Sequence, residues 1–275
     1  MTKTVLAHFY NEEYLLPWWL EHHKKVFDHG ILIDYYSTDR SREIIRDICP
    51  DWEVRYSRNA AFDCINCEAE LRDLETKISG WKTVLNITEF LMGDYSILAD
   101  DSPGKQISVT SYAMVDNGTA EPVTDLTYDL PLYQQRVWGY NTFDYFPGGI
   151  GSLDSWEDIR EAQSRDWPGK FNRWGRSIHT LPFAQYPVEA GRHLFHVNTT
   201  DLYILWYGFS PDTEQMWNRK TQIGGKLSDR DKQRNMGLHH LWDMDKLKAD
   251  LELQRPHCQD LTTLISKQIY TGQGR

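Results

Sequence analysis

The chain has no stretch approaching the roughly 18 unbroken apolar residues that a membrane-spanning helix needs, so no span is expected. Its first residues, MTKTVLAHFYNEE, carry one lysine, a short apolar run and then acids, a poor signal peptide. A cytoplasmic chain, of a bacterial cell or a virus-infected host, is the expectation. Cysteine is scarce: Cys49, Cys64, Cys67 and Cys258 are the only four. Cys64 and Cys67 make a lone C-x-x-C, and no second pair follows to complete a structural zinc site. The pair sits in a helix-like stretch without the strand context of a redox motif, so buried reduced thiols are expected. Basic residues are outnumbered 30 to 40, giving a net charge of -10. That balance excludes the basic stripe of a nucleic-acid-binding surface and leaves room for a small basic pocket that takes an anion. There is no internal repeat and no low-complexity tract.

What is present is ordinary globular material: 275 residues, 40% of them apolar and 25% charged, enough for one large domain or two small ones. The abundance lies in the aromatics, with 11 Trp and 15 Tyr. Large core fillers account for most such residues; stacking surfaces for a sugar or a base are the alternative. Sequons at Asn86, Asn117 and Asn198 matter only in a secretory compartment.

Residues 3–9 read as a buried strand and 14–28 as a helix, with Pro17 in its first turn and Gly30 at its C-terminal cap. A second buried strand follows at 31–34. Ser37-Thr38-Asp39 then offers a cap to a helix of about 40–48. A third strand at 52–57, an amphipathic helix at 66–79 and a fourth strand at 81–86 complete β-α-β-α-β-α-β. Alternation of this kind predicts an α/β fold with a mostly parallel central sheet flanked by helices, whose ligands gather at the carboxyl ends of the strands. The second half is less regular. Strands are expected at 106–115 and 202–209, long loops over 117–175, and helices at 212–223 (opened by Ser210-Pro211-Asp212), after Ser228-Asp229, and at 241–254.

Several of these pieces, in this order and spacing, resemble the nucleotide-sugar-binding half of GT-A glycosyltransferases, near the family 2-like group. They are Tyr10-Asn11-Glu12-Glu13 after the first strand, Ile33-Asp34-Tyr35-Tyr36-Ser37-Thr38-Asp39 after the second, and Trp81 through Leu91, which is similar to a W-x-x-x-x-D-x-D-E-F-L segment. Gly191-Arg192-His193 resembles the family's G-x-H, and Tyr203 to Phe209 a later strand. The resemblance is concentrated in the N-terminal third. It implies a GT-A (Rossmann-like) fold, with residues 1–100 as the nucleotide-sugar-binding half and 101–275 as an irregular acceptor half with C-terminal helices, in one continuous domain. Both aspartates of the family's metal-binding D-x-D are replaced, by Asn86 and Thr88, while Glu89 remains. An amide and a hydroxyl offer a hard divalent ion dipoles without charge. No cofactor is therefore expected; manganese or magnesium held by Glu89 and a histidine is the alternative.

The residues that follow the strands are the candidates for donor binding. Tyr10, Asn11 and Glu13 end the first strand, where a carboxylate suits ribose hydroxyls and an amide a base edge; acids at a helix start are the plain alternative. Asp34 ends a buried strand, a costly place for a charge without partners. The resemblance gives it the nucleobase, whereas a turn would give it loop amides. Arg58 follows the third strand, facing a base, a phosphate or solvent. Asn86 and Glu89 stand where a diphosphate and metal would lie. Without a metal, cations or oriented amides must neutralise the leaving diphosphate: Arg219, Lys220 and His193 are the candidates, with an ordinary exposed helix face as the rival. An inverting transfer also needs a carboxylate to take the acceptor's proton. Asp154 and then Glu157 are named for it, although Asp154-Ser155-Trp156-Glu157 also fits a helix cap. Trp138, Tyr140, Trp156, Trp167 and Trp174 are the stacking candidates of an acceptor cleft over 138–175.

Taken together, these residues imply a glycosyltransferase that moves a sugar from a nucleotide-diphosphate donor to a carbohydrate or glycoconjugate acceptor, with inversion. A catalytically inert nucleotide- or carbohydrate-binding protein on the same fold is the second reading. A nucleotidyltransferase fits less well, because the loop after the first strand is acidic where a triphosphate would sit.

Overall fold

The computed structural model describes residues 2–75, 77–99, 105–141, 178–184, 195–233 and 240–271. The first strand, β1 (Lys3–Phe9), is followed by α1 (Leu16–His23), β2 (His29–Asp34), α2 (Ser41–Ile48), β3 (Glu53–Tyr56), α3 (Cys64–Glu75) and β4 (Gly80–Val84). The four strands stand in the order β3-β2-β1-β4 and every neighbouring pair is parallel, with Leu6 opposite both Ile31 and Val84, and Asp34 opposite Tyr56. The expected α/β class is what the chain adopts.

The alternation of side chains along a strand explains why both faces are covered. Val5, Ala7, Phe9 and Leu32 meet Leu16, Trp19 and Leu20 of α1 and Ile45 of α2 in one core. Leu6 and Ile33, one residue out of phase, point the other way onto Cys67 and Leu71 of α3 and onto Leu227.

Beyond β4 the chain carries more strand than its sequence suggests. It adds β5 (Glu89–Gly93), β6 (Lys105–Met114), β7 (Trp138–Asn141), β8 (Ile178–Ala184), β9 (Phe195–Trp206) and β10 (Gln259–Asp260). β8 pairs antiparallel with β4 and with β6, so one sheet runs from the parallel half into the second half. β9 lies parallel to β6 and antiparallel to β5. The helices here are α4 (Leu132–Gln135), α5 (Glu214–Gln222), α6 (Asp229–Gln233), α7 (Met244–Gln254) and α8 (Thr262–Thr271). Thr213 caps α5, its hydroxyl accepting the Met216 N–H at 3.3 Å, so that helix begins later than Ser210-Pro211-Asp212 would have it. Among the described residues no helix is long and apolar enough to cross a membrane.

Two local expectations are corrected. The first helix stops at His23 rather than running to Asp28, and Gly30 lies inside β2 instead of capping it. Gly30 is glycine because the Trp52 ring fills the space a side chain would need: a Cβ there would sit 2.2 Å from the ring. Both are core positions, so Gly30→Ala should destabilise the fold by about 1–3 kcal/mol through overpacking. Denaturant unfolding checks this, and a variant as stable as the wild type would mean that the ring can swing aside. The second correction concerns Tyr140, offered as an acceptor-stacking residue. It is 3% exposed, and its hydroxyl donates to Gln254 at 2.8 Å, which makes it a core side chain.

Candidate donor site at the carboxyl ends of the parallel strands

The loops that leave β1, β2, β3 and β4 come together at one edge of the parallel sheet, as the doubly wound arrangement requires. The first two are laced to each other. Asn11 has a left-handed backbone, φ 50°, which asparagine tolerates better than most side chains. Its N–H donates to the Ser37 hydroxyl at 2.9 Å, and its side-chain oxygen accepts the Thr38 N–H at 2.7 Å. Glu12 N–H donates to the Ser41 hydroxyl at 2.8 Å, and Glu13 N–H to the Asp39 carboxylate at 3.0 Å. The exposed Glu13 carboxylate accepts the Arg40 N–H at 3.0 Å. Asn11 and Glu13 thus act first as struts between two loops, and Asp39 receives Ser41 N–H at the start of α2 as well.

Asp34 has a fully buried side chain, and its two oxygens are used inside the protein. One accepts the Ser37 N–H at 2.8 Å, and the other the Arg42 guanidinium at 3.1 Å. The turn reading of this residue describes its contacts. Arg58 donates its N–H to Glu70 at 2.9 Å and its guanidinium to Asp73 at 2.5 Å, both on α3. Glu70 also accepts the Ser57 hydroxyl at 2.6 Å and the Asn59 amide at 3.0 Å, so it gathers the loop after β3.

At the end of β4, Asn86 and Glu89 bond each other. The Asn86 N–H donates to one Glu89 oxygen at 2.7 Å and its amide to the other at 3.1 Å. The Trp19 indole N–H, from α1, donates to the carbonyls of both residues, at 3.1 and 3.0 Å, and fixes the hairpin between them. Glu89 is 3% exposed. One buried carboxylate that already serves an amide and a backbone N–H does not fit a hard divalent cation, which wants several free oxygens. Among the described residues, no three His, Cys, Asp or Glu side chains come together as a metal would need. The neighbouring histidines are structural: His23 Nε2 accepts the Leu91 N–H at 3.2 Å, so its Nδ1 carries the proton and donates to the Trp19 carbonyl at 2.9 Å.

The helix α5 is bonded to the loop after β1, and both of its candidate cations are committed. Arg219 reaches back to Glu12, giving Nε and Nη2 to the two carboxylate oxygens. Burial raises the Glu12 pKa above its ordinary 4.5, while Arg219 pulls it down. Lys220 is 7% exposed, donates to the Gly208 carbonyl at 3.0 Å and lies 3.9 Å from the Phe209 ring centre. Burial, and then the charge of Arg219, lower its pKa from 10.5 to about 7. Gln222 of the same helix donates to the Asn11 carbonyl at 2.7 Å. Asp154, Glu157, His193, Trp156, Trp167 and Trp174 lie outside the described residues.

Residues passed over in the sequence also reach this edge. Lys226 lies 4.7 Å from the ring centre of Tyr10, just past the end of β1. Arg42, Arg58, Arg219 and Arg230 each have a carboxylate within 4.0 Å, and Lys226 has none among the described residues. Lys226 follows Gly224-Gly225, and a Cβ at Gly224 would sit 2.5 Å from the His240 carbonyl, so the chain passes close at that point. Tyr36 and Tyr56 are the others, stacked on each other and half exposed. A hollow of about 170 Å³ beside α2 and β3 is lined by Arg42, Arg46, Pro50, Trp52 and Val54.

No protein-family profile and no curated protein matches the chain. Solved structures of S. aureus TarS can be aligned with it. The 1–349 fragment in complex with UDP-GlcNAc aligns at 16% identity and a TM-score of 0.31, over 45% of this chain and 38% of that one. The same fragment in complex with UDP gives 15% and 0.31, over 50% and 43%. Another structure of the 1–349 fragment gives 14% and 0.36, over 88% and 71%. The chain thus spans less than half of the two ligand-bound structures, and at these values the likeness carries no argument about function.

Proposed function

We propose that the chain is a glycosyltransferase that takes a nucleotide-diphosphate sugar at the carboxyl edge of β1, β2 and β4 and transfers the sugar to a carbohydrate acceptor with inversion. One observation carries the reading. The three segments whose sequences resemble a GT-A donor site, Tyr10–Glu13, Asp34–Asp39 and Asn86–Glu89, leave neighbouring strands at the same edge of one parallel sheet. In the reaction the acceptor hydroxyl gives its proton to a carboxylate, Asp154 or Glu157. Its oxygen bonds to the anomeric carbon, and the diphosphate leaves with the electron pair of the broken C–O bond. The donor set around Glu89 argues for a reaction without a divalent ion. Because Arg219 and Lys220 are held by Glu12 and by the Gly208 carbonyl, Lys226 joins His193 as a cation assigned to the departing diphosphate.

The test is product formation with a panel of nucleotide sugars and oligosaccharide acceptors, with and without excess chelator. Transfer should survive the chelator, and Lys226→Ala should lower turnover about a hundredfold, as loss of one oriented charge donor does. Transfer abolished by chelator and restored by manganese would refute the metal-free mechanism. Donor binding without product on any acceptor would favour the second reading, an inert nucleotide-binding protein, for which the mutual bonding of Asn86 and Glu89 already speaks.

A further inference from the structure

Tyr36 and Tyr56 make an unusual pair. Their rings stack with centres 5.1 Å apart and planes 12° apart, yet they remain 47% and 55% exposed. Tyr56 is the last residue of β3 and stands opposite Asp34 in the register of β2, so the pair sits at the donor edge of the sheet. The backbone of Tyr36 is left-handed, φ 61°, where a bulky aromatic residue is disfavoured and glycine is at ease. The ring is held by its hydroxyl, which donates to the Ser57 carbonyl at 3.2 Å, and by the stack itself. Half-exposed rings gain little from burial, so core packing does not explain an aromatic side chain on a strained backbone. Outliers of this sort gather at ligand sites.

The third member is Arg42. Its guanidinium carbon lies 4.2 Å from the Tyr56 ring centre, and its Nη1 donates to the buried Asp34 carboxylate at 3.1 Å. Asp34 therefore fixes Arg42 against Tyr56 and, through the Ser37 N–H, fixes the turn that carries Tyr36.

We propose that Tyr36, Tyr56 and Arg42 form an open stacking platform for the planar base of a nucleotide, with Asp34 as the positioning residue beneath it. The proposal rests on the nucleotide-sugar reading and names the part of the chain that grips the base. A π-face recognises every base, so the platform supplies affinity and little discrimination among bases.

Calorimetric titration of the full chain with UDP, ADP, GDP and CDP, beside inorganic pyrophosphate, tests it. Tyr56→Ala should weaken every nucleoside diphosphate about tenfold or more and leave pyrophosphate unchanged. Tyr36→Gly should weaken the nucleotides similarly while the thermal midpoint holds or rises, because the substitution removes the ring and relieves the backbone together. If the wild type binds nucleoside diphosphates and both variants bind them equally well, the base lies elsewhere: the platform is wrong and the donor reading stands. A lowered midpoint with unaltered affinity in Tyr36→Gly would make the pair a structural device and overturn the proposal too. A wild-type chain that binds none of the nucleotides overturns both readings, and capture of an aromatic peptide in their place would identify the true occupant.

Discussion

Arg219→Ala should lower the free energy of unfolding by about 3–5 kcal/mol at neutral pH, the usual result of breaking a buried ion pair from one side. The Arg219 and Glu12 side chains are only 14% and 10% exposed, and the guanidinium meets both carboxylate oxygens. With the arginine truncated, Glu12 stays in the loop after β1 with nothing to offset its desolvation. Its pKa, already above 4.5 in the folded chain, then climbs further, because Arg219 is the main influence holding it down. The sign of the pH dependence follows. The folded variant binds the Glu12 proton more tightly than the unfolded chain does, so its stability falls as pH rises from about 4.5 towards the higher folded value. The deficit against wild type should be small at pH 5 and full at pH 8, as read by denaturant unfolding. Glu12→Gln with Arg219→Met should cost less than Arg219→Ala alone. A single variant as stable as wild type at pH 8 would refute the account. An arginine reserved for a leaving diphosphate behaves in the opposite way, lowering transfer and sparing the fold.

Lys220→Met should do the reverse and stabilise the protein. Folding moves this ammonium from water to a site 7% exposed, where its pKa falls from 10.5 to about 7. Between those two values the unfolded chain binds more protons than the folded one, so this group makes stability rise with pH across that window and imposes its full penalty below pH 7. A gap that wide corresponds to about 4–5 kcal/mol at its fullest. Methionine fills a similar volume without the charge. The variant also loses the bond to the Gly208 carbonyl, worth about 1 kcal/mol. A net gain of about 1–3 kcal/mol is expected at pH 6, shrinking as pH approaches 10. Parallel stability curves for the two proteins across pH 6–10 would count against it.

The parallel half was legible because its strands are short apolar runs set between turn residues, and β1 falls on residues 3–9 as expected. The end of α1 was not legible. Gly30 resembles a helix cap, and its real reason, the Trp52 ring, comes from the residue just before β3, the strand that pairs with β2 later in the chain. In the second half β9 begins at Phe195, well before the apolar run at 202–209, because pairing with β6 keeps its polar first residues in the sheet. Helix α8 went unread although Asp260, which accepts the Thr262 N–H at 2.7 Å, marks its start. At the site, the positions that follow strands could be named from pattern alone. Their partners could not: Glu12 finds Arg219 and Tyr14 finds Thr213 across some two hundred residues, a separation no local pattern encodes. Tyr36 and Tyr56 also escaped notice, because a composition rich in aromatics hides the few that are exposed.

That long-range closure gives the carboxyl edge of the parallel sheet a place in the order of synthesis. The strands β1 to β4 and their crossovers lie within the first 84 residues and can pair as they emerge. The Glu12 carboxylate waits for an arginine made 207 residues later, and Asn11 for Gln222, 211 residues on. Until α5 leaves the ribosome, Glu12 in the loop after β1 lacks its counter-charge. The sheet can therefore precede its closing helix, and a nascent chain can be folded in its core while the loops at the sheet's carboxyl edge still lack their last partners.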